Sequence, residues 1–156
     1  MGSVEVSQSR LLKATTGVVE AYNSWDLDKI MAIRAPECIT QVLPRSLGRP
    51  EMKNDEYSKY LGGFMSAFTN FHVTINEVVE DPVHNKVSVW AQSTADTPVG
   101  PYANEYMLLL HFDEAHEKLV KFYEFVDSKY TVEHFTKVRE LMEKKGDCVD
   151  DFGTNT

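Results

Sequence analysis

Apolar residues change their period twice along this chain. Up to about residue 68 they return every three or four positions, from Phe71 to Val126 every second position, and afterwards at the longer spacing again. Leu11, Leu12, Thr15, Val18, Val19 and Tyr22 form the first stripe and predict an amphipathic helix over 8–24. The run WDLDKIMAIR predicts a short second helix over about 26–34, ended by Pro36, whose ring cannot continue it. Cys38 to Leu43 reads as a strand, and Pro44, Gly48 and Pro50 mark a loop. Asn54 is placed to cap a third helix, with Tyr57, Tyr60, Leu61, Phe64, Met65 and Phe68 as its apolar stripe.

The period-2 region divides into strands at about 71–80, 86–96, 103–113 and 118–127. Turn signals at Asp81-Pro82, Val99-Gly100-Pro101 and Asp113-Glu114 separate them. A last helix is expected from about Thr131 to Lys145, stopped by Gly146. Helices, then antiparallel strands, then a helix predict an α+β fold. The expected form is a cone-shaped, curved antiparallel sheet wrapped around three N-terminal helices, with a C-terminal helix. One domain over 1–145 and a disordered tail over 146–156 follow.

Alternation on the last strand exposes the chemistry. Lys121 should face water, which turns Val120, Phe122, Glu124 and Val126 to the buried face. An ionised, unpaired carboxylate there costs roughly several kcal/mol. Glu124 is therefore either satisfied by structural donors or kept for acid–base work, with its pKa raised by desolvation. Asn104 and Tyr106, on the preceding strand, would join it in a small polar cluster of the kind that lines ligand pockets. Asn104 would hold an enolate oxygen, unless it is only a turn residue. Asp127 either turns inward at the strand end or caps the last helix. His72 is a natural proton shuttle, although alternation of Phe71, Val73 and Ile75 inward leaves it on the outer face. Trp25, after the first helix, is expected at the pocket mouth, with Tyr22 and Phe122 also contacting substrate.

The remaining totals narrow the class. No run approaches the roughly 18 apolar residues of a membrane span. The opening MGSVEVSQSR has no apolar leader-like core, and two cysteines, Cys38 and Cys148, make no disulfide framework, so a cytoplasmic protein is expected. A net charge of −8 without a basic stripe argues against nucleic acid and anionic membrane as partners. No metal-ligand spacing and no phosphate-cradling Gly loop occurs, so no metal and no cofactor is implied. Trp90, Met107 and Leu109 on the outer sheet face suggest a homodimer.

The element order, together with AYNSWDLDKI, RAPEC, TPVGPYANEY and HFDE followed by EFVDS, resembles the SnoaL-like branch of the nuclear-transport-factor-2-like (NTF2-like) superfamily. The likeness covers about residues 8 to 143 and is closest to small fungal isomerases and cyclases of polyketide and meroterpenoid pathways. It implies which chemistries are absent. Where steroid isomerases of the superfamily keep their carboxylate base, this chain has Val42 or Leu43, with Gln41 as the nearby polar group. Their second acid corresponds to Leu108. Of the scytalone-dehydratase pattern, Tyr22-Asn23 retains the tyrosine but not the aspartate, His72 matches one histidine, and Ala91 replaces the other. Asp127 matches the aspartate of SnoaL-type polyketide cyclases. The implied function is cofactor-free acid–base isomerisation or cyclisation of a tetrahydroxanthone-type polyketide or a meroterpenoid. Glu124 or His72 would be the base, Asp127 or His72 the acid, and Asn104 and Tyr22 would hold the enolate. Gln41 and Tyr106 would contact the substrate. The competing expectation is a non-catalytic ligand carrier or adaptor, whose cone would be filled with side chains.

Overall fold

The computed structural model describes residues 8–146. Helix α1 spans Arg10–Asn23 and begins where Ser9 Oγ accepts a hydrogen bond from the Leu12 amide at 3.1 Å. Helix α2, Leu27–Ala32, is capped by the Asp26 carboxylate, which accepts from the amides of Asp28 and Lys29. Strand β1 follows over Arg34–Leu43, and after a single 3-10 turn at Arg45–Leu47 comes helix α3, Asn54–Met65. Strands β2 (Thr69–Asp81), β3 (Lys86–Thr97), β4 (Gly100–Phe112) and β5 (Leu119–Val126) lead into helix α4, Ser128–Lys144.

The five strands lie in the order β1-β5-β4-β3-β2. Neighbours from β2 to β5 are antiparallel, as their short turns require. β1 instead enters from the helical half and lies parallel to β5 at the sheet edge. The sheet is therefore curved, open and mixed rather than wholly antiparallel, because period-2 alternation carries no information on partner direction. Two local expectations also change. α2 stops at Ala32, and Pro36 sits inside β1, where its fixed φ and the extended residue before it suit a strand opening. Asn54 is the first residue of α3 rather than its cap. The Glu56 carboxylate accepts from the Lys53 amide at 2.8 Å, freeing the Asn54 amide to bond Arg34 Nε and the Ala35 carbonyl.

β4 shows why the interior forms where it does. Tyr102, Asn104, Tyr106, Leu108, Leu110 and Phe112 are buried, and the residues between them face outward. This face meets α1, α3 and α4 through Leu11, Val18, Leu61, Phe64 and Phe135, joined by Phe68 from the segment between α3 and β2. The opposite face leaves Trp90, Met107, Leu109 and Phe125 exposed. His134 is buried because α4 sets it against Tyr102 and Phe68, with its Nε2 3.1 Å from Thr97 Oγ1. Of the tail expected to be disordered over 146–156, Gly146 lies in a turn, and 147–156, Cys148 among them, lie outside the described residues. Among the described residues no helix is long and apolar enough to cross a membrane.

Candidate active site

The cone is not filled. Between the inner sheet face and α1, α3 and α4 lies a cavity of about 90 Å³, measured as space open to the centre of a water molecule. One water needs roughly 10–15 Å³ on that measure, so a small organic ligand has room to begin binding. The wall is mainly aromatic and aliphatic. Trp25, in the left-handed region at φ 48°, stacks on Phe71 with centroids 4.0 Å apart and anchors its Nε1 on the Met65 carbonyl at 3.0 Å.

Into this chamber β5 projects Glu124, aligned with Val42 of β1 and Leu108 of β4. Among the described residues no side chain hydrogen-bonds or ion-pairs with its carboxylate. Glu124 is half-buried and lines this cavity, where a ligand can reach it. Burial pushes its pKa up from 4.5 to about 7, and the positive charge of Arg49 pulls the other way. A carboxyl group balanced near neutrality can remove a proton in one step and return it in the next.

Neutral hydroxyls surround that carboxyl. Tyr22 and Tyr57 share a short hydrogen bond. Asn104 Nδ2 donates to Tyr102 Oη and Thr131 Oγ1, each at 2.9 Å, and its Oδ1 accepts from the Glu105 amide. Tyr102 Oη is 2.9 Å from Tyr106 Oη, which is 2.7 Å from Ser93 Oγ. Burial pushes these phenols upward, so they stay protonated around neutral pH. Two buried arginines stand behind this layer. Arg34 donates to Asn54 and Thr40 and lies 4.3 Å above the Tyr57 ring, with Nη2 lacking a partner among the described residues. Arg49 donates through Nη1 to Tyr60 Oη at 2.9 Å. Among the described residues no three of His, Cys, Asp or Glu gather as a metal site would require.

Comparison with known proteins places this geometry in a family, although no family model matches the chain. Core atranone cluster protein 11 of Stachybotrys chlorohalonatus is 36% identical over 117 residues, covering 74% of this chain and 87% of that one. Monooxygenase AacuP of Aspergillus aculeatus is 31% identical over 112 residues, covering 72% and 77%. Among solved structures, the BvnE pinacolase of Penicillium brevicompactum superposes with a TM-score of 0.80 at 27% identity, covering 86% and 96%. An NTF2-like protein of unknown function from Burkholderia pseudomallei shares the fold alone, with a TM-score of 0.66 at 16% identity over 84% and 98%. The chain belongs to the fungal SnoaL-like branch of the NTF2-like superfamily.

Within this SnoaL-like chamber the structure brings together Glu124, Asn104, Tyr22, Trp25, Tyr106 and Phe122, which all line the cavity. Three other expected residues lie elsewhere. His72 is exposed on the outer face of β2, as strand alternation requires, and is not among the cavity residues. Asp127 is exposed and caps α4, its Oδ1 accepting from the Tyr130 amide at 3.1 Å. No bulge turns it inward, because β5 ends in register at Val126. Gln41 faces the outer surface beside Tyr123 and Met107, one step out of phase with the inward Val42. Asn104 is inside, but both its amide hydrogens are committed to Tyr102 and Thr131, which removes the free donor expected of it. Sequence reasoning missed Tyr57, Tyr60, Tyr102, Arg34 and Arg49. Tyr102 was legible, because it shares the alternating face of Asn104 and Tyr106. Tyr57 and Tyr60 look like ordinary core aromatics of a helical stripe. The arginines carry no local signal, since burial of a cation at the start of β1 or in the loop after it depends on tertiary packing.

Proposed function

We propose that this SnoaL-like protein catalyses an acid–base isomerisation or ring closure of a polyketide-derived or meroterpenoid intermediate in fungal secondary metabolism. The observation that carries this reading is Glu124: one unpaired carboxyl group, near neutral in pKa, in an apolar chamber. Ionised Glu124 takes a proton from a C–H or O–H made acidic by a neighbouring carbonyl; the released pair forms a new double bond and the carbonyl π pair moves on to oxygen. Protonated Glu124 then returns the proton at another atom, so the product has the mass of the substrate. Aromatic walls orient the ring system and keep water from the enolate. His72 and Asp127 have no part in this scheme, given where they stand.

The test is to incubate the purified protein with a metabolite extract from a host lacking this chain alone. The expected result is an isomeric product, gaining deuterium at carbon in D₂O to the extent that the Glu124 proton exchanges with solvent between the two steps, with Glu124→Gln lowering the rate at least a hundredfold. A near-native rate for Glu124→Gln would sink the reading. A second reading, an oxygenase, is favoured by the names of several relatives, AacuP among them. A product heavier by one oxygen atom, labelled from ¹⁸O₂, would support that instead.

A further inference from the structure

The cavity hydroxyls differ in what their protons are doing. A phenol has one proton to donate and two lone pairs with which to accept. Tyr22 and Tyr57 are turned toward each other, and Tyr102, Tyr106 and Ser93 form a chain fed by Asn104. One hydroxyl proton of each of those groups also has no acceptor within it, but Tyr60 is set apart by a charged donor: its oxygen accepts from the Arg49 guanidinium at 2.9 Å, and its own O–H has no acceptor among the described residues. Tyr60 lines the same cavity as Glu124. Its ring is held edge-on to Phe64, with centroids 5.3 Å apart. Arg49 is only 6% exposed and forms no ion pair among the described residues, so its charge acts on Tyr60 and the cavity rather than on solvent.

We propose that Tyr60 is a second catalytic group, donating a hydrogen bond to the ligand oxygen on which negative charge develops, and that Arg49 is its positioning residue. This rests on the acid–base reading of Glu124. As Glu124 takes the substrate proton, the C–H electron pair forms the enolate C=C bond, the carbonyl π pair moves to oxygen, and the Tyr60 O–H meets that oxygen without giving up its proton. Burial raises the Tyr60 pKa, which suits a donor that stays protonated. Arg49 fixes the lone-pair side of the phenol and thereby turns the O–H away, while strengthening it as a donor. The implied substrate carries a ketone or enolisable oxygen positioned across the cavity from the C–H that Glu124 attacks.

A pair of probes tests the donor separately from the acid–base step. 2-Acetylnaphthalene can only accept a hydrogen bond through its carbonyl, and naphthalene has no oxygen at all. Tyr60→Phe should weaken binding of the ketone about tenfold, the worth of one such bond, and leave naphthalene within about twofold. The carbonyl stretch of the bound ketone should lie lower in the native protein than in Tyr60→Phe, with Arg49→Met moving it part of the way. Retained naphthalene binding shows that each variant is folded. An equal effect on both probes, or an unmoved carbonyl stretch in Tyr60→Phe, overturns the proposal. Glu124→Gln should keep the preference for the ketone while losing turnover, so failure of the acid–base reading shows in turnover and failure of the Tyr60 donor in the probes.

Discussion

Replacing Glu124 by glutamine should make the protein more stable at alkaline pH while disabling it. In the folded state burial holds the carboxyl pKa at about 7, against 4.5 for an ordinary glutamate. Between these two values the folded state binds more protons than the unfolded state, so this group's contribution falls as pH rises. Below about pH 4.5 both states hold a protonated Glu124, and no penalty exists. Above about pH 7 the folded protein carries a buried charge, and the gap corresponds to about 3 kcal/mol at roughly 1.4 kcal/mol per tenfold change. Glutamine is neutral, nearly isosteric and insensitive to pH. Urea unfolding of both proteins at pH 4.5 and pH 8.5 isolates the effect, because every other titrating group is common to the pair. The expected difference is near zero at the lower pH and about 3 kcal/mol in favour of the variant at the higher. A difference independent of pH would refute the buried, unpaired carboxylate. A variant less stable at pH 8.5 would show that Glu124 is satisfied by structural donors.

Further outcomes follow from the same geometry. The value of kcat/KM should rise with pH through about 7 and level off, and the rising limb should vanish in any residual activity of Glu124→Gln. Asp127→Ala should cost about 1 kcal/mol in urea unfolding, through loss of the α4 cap, and leave binding of 2-acetylnaphthalene unchanged. Weakened binding would return Asp127 to the site. The exposed Trp90, Met107 and Leu109 carry the expectation of a dimer joined through the outer sheet face. Sedimentation equilibrium should find a dimer for the native chain and a monomer for Leu109→Lys, and a monomeric native chain would remove that interface.

Much of the architecture was legible because burial on one face leaves a periodic trace. The alternation from Tyr102 to Phe112 and from Phe122 to Val126 located both the inner face and the carboxylate on it. What alternation does not encode is strand order and direction, so the parallel pairing of β1 with β5 was not foreseen. His72 and Asp127 show the limits of family likeness: their motif positions match, yet one faces outward and the other caps a helix. For His72 the periodicity read from its own neighbours was the better guide. Arg49 and Tyr60 illustrate the opposite gap. A loop arginine and a helix-stripe tyrosine look unremarkable until tertiary packing buries the cation and sets the two 2.9 Å apart.

The most direct measurement is the titration of the Glu124 side-chain carboxyl by ¹³C NMR, with Glu124→Gln used to assign the resonance. A single transition near pH 7 is expected, moving again when a ligand fills the cavity. A transition close to 4.5 would contradict the account, because a carboxylate already ionised and solvated there could not serve as the balanced acid and base of this chamber.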